Sequence, residues 1–129
     1  MMRPHMLLLT NSYIVPREKR DDHARLVKRF RHVLHNIGCD QFEVYEQVGP
    51  NFGGADASGR FVQLMRFRDH RHHQHVHEAE QTTPEAQAII REFCDLINLP
   101  YQEHQGLFAI GYYASVVDAP ALAADEPVR

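Results

Sequence analysis

The stretch from Met6 to Val15 constrains the chain most, because it is apolar on both sides of a strand. Rich in Leu, Ile, Val and Tyr, it reads as extended backbone. Alternation puts Leu7, Leu9, Tyr13 and Val15 on one face and Met6, Leu8 and Ile14 on the other. Gln105 to Val117 repeats the pattern, with Phe108, Ile110, Tyr112 and Val116 opposite Leu107, Ala109, Tyr113 and Val117. A strand of this kind needs cover on both faces. Each Å² left bare forfeits roughly 25 cal/mol. Helices can cover one face. A second copy stacked sheet on sheet covers the other, which predicts a homodimer.

Between these strands the hydrophobic period changes twice. Pro16 stops the first strand and suits the first position of a helix. Leu26, Val27, Phe30, Val33, Leu34 and Ile37 then recur at helical spacing, and Gly38 is placed to end the helix. Gln41 to Val48 and Arg60 to Arg68 alternate as strands, with Phe61, Met65 and Phe67 on one face of the latter. The glycine-rich segment 49–59 joins them as a loop long enough to cover a site. Asp69 can cap a short helix running to Gln81. Thr83-Pro84-Glu85 opens another, striped by Ala86, Ile89, Ile90, Phe93 and Ile97 and closed by Leu99-Pro100. The order strand, helix, strand, strand, helix pair, strand predicts an α+β fold. It is the ferredoxin-like split β-α-β, a four-stranded antiparallel sheet with helices on one face.

The 129 residues predict one domain over 1–117, followed by a tail at 118–129 that is mobile or laid on a partner. A net charge of -3 argues against a nucleic-acid binder. Seven basic residues against three acids between Arg17 and Arg31 read as a solvated helix face, with no aromatic residues interleaved for stacking on bases. No apolar run is long enough to span a membrane, and the apolar start is too short for a signal peptide. Cys39 and Cys94 read as reduced thiols, which points to the cytoplasm.

Five of the ten histidines fall between His70 and His77. Helical geometry groups His72, His75, Val76 and Ala79 on the apolar side, and His73, His77 and Glu80 on the side expected to face water. His73 and His77 have the spacing to share a divalent ion, with Glu80 as a third ligand. No His-Glu-x-x-His motif is present. His72 and His75 are therefore the inward candidates, either ligand-facing or structural. Asn11 is a polar residue in an apolar strand, where it meets a ligand, faces outward or pairs with backbone. Tyr13 either lines a pocket or packs in the core.

With Thr10-Asn11-Ser12 on the first strand, Val15-Pro16 leading into a helix that ends His32-Val33-Leu34, and Leu64-Met65-Arg66-Phe67-Arg68-Asp69 before a histidine-bearing helix, the chain resembles antibiotic biosynthesis monooxygenase-like domains. These belong to the dimeric α/β-barrel superfamily. The resemblance implies cofactor-independent oxygenation of an aromatic or quinol-type small molecule in a pocket between sheet and helices. It implies that Asn11 orients the substrate, that Phe67 forms an aromatic wall and that His75 is a base. Heme-degrading relatives use a tryptophan, which this chain lacks, and there His75 would be an axial ligand. Two further readings stand beside this one. One is a non-catalytic dimeric ligand-binding or stress-associated barrel. The other is a heme or metal binder through the helix His70–His77.

Overall fold

The computed structural model describes residues 6–50 and 58–117. The expected tail and most of the expected covering loop lie outside the described residues. Strand β1 spans Leu7–Ile14. A 3-10 turn at Arg17–Lys19 then leads into α1, Arg20–Asn36. Strands β2 (Gln41–Glu46) and β3 (Arg60–Phe67) follow, then α2 (His70–Thr82), α3 (Pro84–Ile97), α4 (Leu99–His104) and β4 (Ala109–Ala114). The sheet order is β2-β3-β1-β4, antiparallel throughout. This is the α+β, ferredoxin-like arrangement expected from the element order.

Register decides which side chains meet the helices. Asn11 pairs with Gln63 on β3 and with Ile110 on β4. Leu7, Leu9, Asn11 and Tyr13 therefore share the helix side with Phe61, Gln63, Met65 and Phe67. The core closes between this surface and the stripes of α1 and α3. Phe30 stacks on Phe42 at 5.3 Å, and Phe93 sets its edge against Phe30 at 5.8 Å and Tyr13 at 4.9 Å. On the opposite face Tyr113 lies across Gly111, where an added Cβ would sit 2.7 Å from both Thr10 Oγ1 and Tyr113 Cε1. A side chain there would displace the Thr10 hydroxyl and the exposed Tyr113 ring, so glycine leaves room for this close approach.

Helix boundaries follow local chemistry. Gly38 adopts φ +102° just past α1, as a left-handed terminator should. Asp69 caps α2 by accepting from the His72 N–H at 2.8 Å. Thr83 precedes α3 but makes no side-chain cap bond; Pro84 begins the helix with its fixed φ. Leu99-Pro100 does not simply end α3, as the sequence suggests. Asn98 turns left-handed, and Pro100 sits in the first turn of α4, where its missing N–H costs nothing. Among the described residues, no helix is long and apolar enough to cross a membrane.

The short helix α4 has a structural task. β4 pairs with β1 only as far as Ser12, which leaves Ile14 without a neighbour on that side. The buried Gln102 side chain takes the place of a strand residue. Its Oε1 accepts from Ile14 N–H at 2.8 Å, and its Nε2 donates to Ile14 O at 2.8 Å and to Ile97 O at 2.6 Å. Gln102→Ala strips three backbone groups of partners, so a loss of about 2–4 kcal/mol is expected from the cost of unsatisfied buried groups. Urea unfolding measures this, and a loss below about 0.5 kcal/mol, the size of an ordinary surface change, contradicts the assignment.

Candidate functional site

The helices cover the sheet unevenly. α1 packs beside β2 and α2 beside β3, and among the described residues the helix side of β4 is left largely open. Ile110 and Tyr112, both on that side, are 56% and 70% exposed. A trough of about 400 Å³ results, lined by Leu7, Leu9, Phe67, His70, His73 and Tyr112, with Leu8 and Tyr113 at its rim. Asn11 is the next residue after Leu9 on this face and is partly buried.

Within the trough, His73 is held between aromatic rings. Its ring stands edge-on to Phe67 at 4.9 Å and to Tyr112 at 6.1 Å. Burial lowers its affinity for a proton, and the neighbouring imidazoles of His77, His70 and His72 lower it further. A neutral imidazole with a lone pair is what a base or hydrogen-bond acceptor requires.

The placement of α2 corrects the orientation read from the sequence. His75 is exposed rather than inward and rests against Gly38, where an added Cβ would lie 3.6 Å from His75 Cδ2. His73, expected to face water, is partly buried in the trough. Val76 marks the centre of the buried arc. His75, one residue before it, is turned about 100° away; His73, three before it, is only about 60° away. His72 is buried as expected, but both ring nitrogens are occupied. Nδ1 accepts from the Arg68 N–H at 3.1 Å, so Nε2 carries the proton and donates to Gly38 O at 2.7 Å. His72 thus clasps the start of α2 to the end of α1 and has no nitrogen free for a ligand. Tyr13 does not line the trough: it is wholly buried in the core, two residues beyond Asn11 on the same face of β1, whereas Phe67 forms part of the trough wall.

His73 and His77 stack at 6.0 Å, and His77 Nδ1 is 3.9 Å from Glu80 Oε1. Among the described residues, no three His, Cys, Asp or Glu side chains gather around a point that could hold a metal ion. A groove of about 430 Å³ between α1 and α3 mixes Lys28, Arg29 and His32 with Glu85 and Glu92, and Arg29 is paired to Glu92 by two bonds. Its charges are thus largely matched within the chain. Burial pushes the Cys39 thiol up to about 12 and raises that of Cys94, which removes both as ready nucleophiles.

Sequence reasoning missed His23 and Gln63. Gln63 is 1% exposed and His23 2%. Asn11 Nδ2 donates to Gln63 Oε1 at 3.4 Å, Gln63 Nε2 donates to the Tyr13 hydroxyl oxygen at 3.2 Å, and Tyr13 lies 2.7 Å from His23 Nε2. Both residues were visible as polar groups on buried stripes. His23 stands three residues before Leu26 and seven before Phe30, and Gln63 alternates with Phe61 and Met65.

The antiparallel sheet with its helices on one face defines a ferredoxin-like protein. Its fold is that of antibiotic biosynthesis monooxygenase-like proteins. One such structure, from Nitrosomonas europaea and named as an antibiotic biosynthesis monooxygenase, superimposes with TM-score 0.61 at 14% identity, over 90% of this chain and 95% of that one. A NIPSNAP family protein of Agrobacterium tumefaciens gives 0.61 at 11% identity over 90% of each chain. A dimeric ferredoxin-like protein from an uncultured marine organism gives 0.57 at 11% identity, covering 91% of this chain and all of its own, 100%. No protein-family model matches the sequence, and no curated protein does.

Burial holds His23 at about 4, below the 6.5 of an ordinary imidazole. The unfolded chain therefore takes up this proton first as pH falls. The stabilisation is whole above pH 6.5 and drains away down to pH 4, a loss on the order of 3 kcal/mol. Urea midpoints measured across that window are expected to fall more steeply for the native chain than for His23→Phe. Parallel curves contradict the assignment.

Proposed function

We propose that the chain is a small cofactor-independent monooxygenase acting on an aromatic or quinol-type molecule bound in the trough. The observation that carries the reading is the half-open cavity of about 400 Å³ with aromatic walls, Phe67 and Tyr112, and one neutral histidine, His73, between them. Such a cavity is of the size small ligands occupy. The aromatic walls stack the ligand. Asn11, next along the same face, orients its oxygen. His73 takes the base position that the resemblance assigns to His75, since His75 is exposed and outside the trough. Removing a proton makes an electron-rich carbanion or phenolate that reduces dioxygen directly. One oxygen atom enters the substrate and the other leaves as water, with the substrate supplying the electrons.

A homodimer through the outer sheet face fits this reading. That face exposes Tyr45 and Tyr113 and carries Leu8, Val62 and Leu64. The marine structure with the same fold is described as dimeric. Light scattering is expected to give twice the chain mass; the mass of one chain contradicts the dimer. The two free cysteines support a cytoplasmic setting.

Anthrone is a suitable probe of the reaction, since its enol, 9-anthrol, offers an O–H donor and oxidation of the opposite ring carbon to a carbonyl consumes one O2 and releases one water. Oxygen uptake with anthraquinone formation is expected; His73→Ala is expected to lower kcat by about 100- to 10,000-fold, the span of general-base catalysis, and Asn11→Ala is expected to lower it as well. A comparison with His75→Ala decides between the two histidines. A loss confined to His75 contradicts the trough as the site. Binding without oxygen uptake assigns the protein to the non-catalytic barrels instead.

A further inference from the structure

The side chains under Asn11 form a hydrogen-bond chain with a direction. Tyr13 and Gln63 are buried and must spend their polar atoms on each other and their neighbours. The bond from Tyr13 to His23, at 2.7 Å, decides the rest. A phenol O–H is a stronger donor than a neutral imidazole N–H, and an imidazole nitrogen is a stronger acceptor than a phenol oxygen. The contact is therefore O–H···N, with His23 carrying its proton on Nδ1. The Tyr13 oxygen, its only proton committed, then accepts from Gln63 Nε2. That bond turns Gln63 Oε1 toward Asn11, whose Nδ2 donates to it. The acceptor left over is Asn11 Oδ1, which has no partner among the described residues; Asn11 follows the trough residue Leu9 on the helix side of β1.

We propose that His23 is a positioning residue: through Tyr13 and Gln63 it holds the Asn11 amide with its carbonyl oxygen, rather than its NH2, toward the trough. The inference rests on the reading of the trough as a ligand site. Each link has one donor and one acceptor, so the arrangement inverts as a unit. With the proton on His23 Nε2 instead, Tyr13 donates to Gln63 Oε1, Gln63 Nε2 donates to Asn11 Oδ1, and the Asn11 NH2 faces the ligand. Burial keeps His23 neutral at ordinary pH and so leaves Nε2 free to accept. The Gln63 bond also acts to lower the Tyr13 hydroxyl's affinity for its proton, as donation to the phenol oxygen should. The consequence is selectivity: the site takes a ligand that donates a hydrogen bond and resists one that can only accept.

Two measurements test this on the full chain. Long-range proton–nitrogen NMR on the unaltered protein reads the His23 tautomer directly; the Nδ1–H form is expected, and the Nε2–H form overturns the proposal. Affinities for 1-naphthol, a donor, and 1-naphthaldehyde, an acceptor only, read its effect at the ligand. The native chain is expected to prefer 1-naphthol by about tenfold, a typical value for one hydrogen bond. His23→Phe is expected to abolish that preference while keeping affinity for the naphthalene ring. An unchanged preference in a folded His23→Phe variant overturns the proposal. If neither compound binds and the Nδ1–H tautomer is found, the trough fails as a ligand site while the direction of the chain stands.

Discussion

The register of β1 between β3 and β4 is the constraint on which the rest depends. A slip of one residue would send Leu7, Leu9, Asn11 and Tyr13 to the outer face and Leu8, Thr10, Ser12 and Ile14 to the helices. The core would then lose Tyr13 and gain two hydroxyls, and neither the trough nor the buried polar chain would exist. Several independent features hold the register in place. Asn11 faces Gln63 across the strands, Tyr113 lies over Gly111, and Gln102 secures Ile14 where β4 gives out.

Much of this was legible in the sequence, because the strands alternate and the helices carry wide apolar stripes. Those of α1 and α3 each contain several large hydrophobic residues, which fix a helix face within a narrow angle. α2 offers only Val76 and Ala79 as markers, too few to fix its rotation. The arc centres nearer Val76 than the two together suggest, and that difference exchanges His75 for His73. The end of α3 was misjudged for another reason. Proline breaks a helix only from within it, and Pro100 stands where a new helix begins.

The four linked polar residues Asn11, Gln63, Tyr13 and His23 are an expensive way to build a core. Tyr13 pays for burial with a hydroxyl whose proton is held well above the ordinary range, and His23 with a weakened hold on its own. An apolar set of similar shape avoids both costs. A satisfied network restricts orientation in return, and here its open end is the amide nearest the aromatic walls. His72 contrasts with it: both of its ring nitrogens are spent on backbone, joining α2 to the end of α1, and the result is structural.

The central claim is that small aromatic ligands bind on the helix side of the sheet beside β4. Titration of isotope-labelled protein with 1-naphthol, followed by backbone amide NMR, tests it most directly. The account predicts saturable shifts concentrated at Leu7, Leu9, Asn11, Phe67, His73 and Tyr112. Shifts concentrated instead in the groove around Lys28, Val33 and Ile89, or no saturable shifts, contradict it.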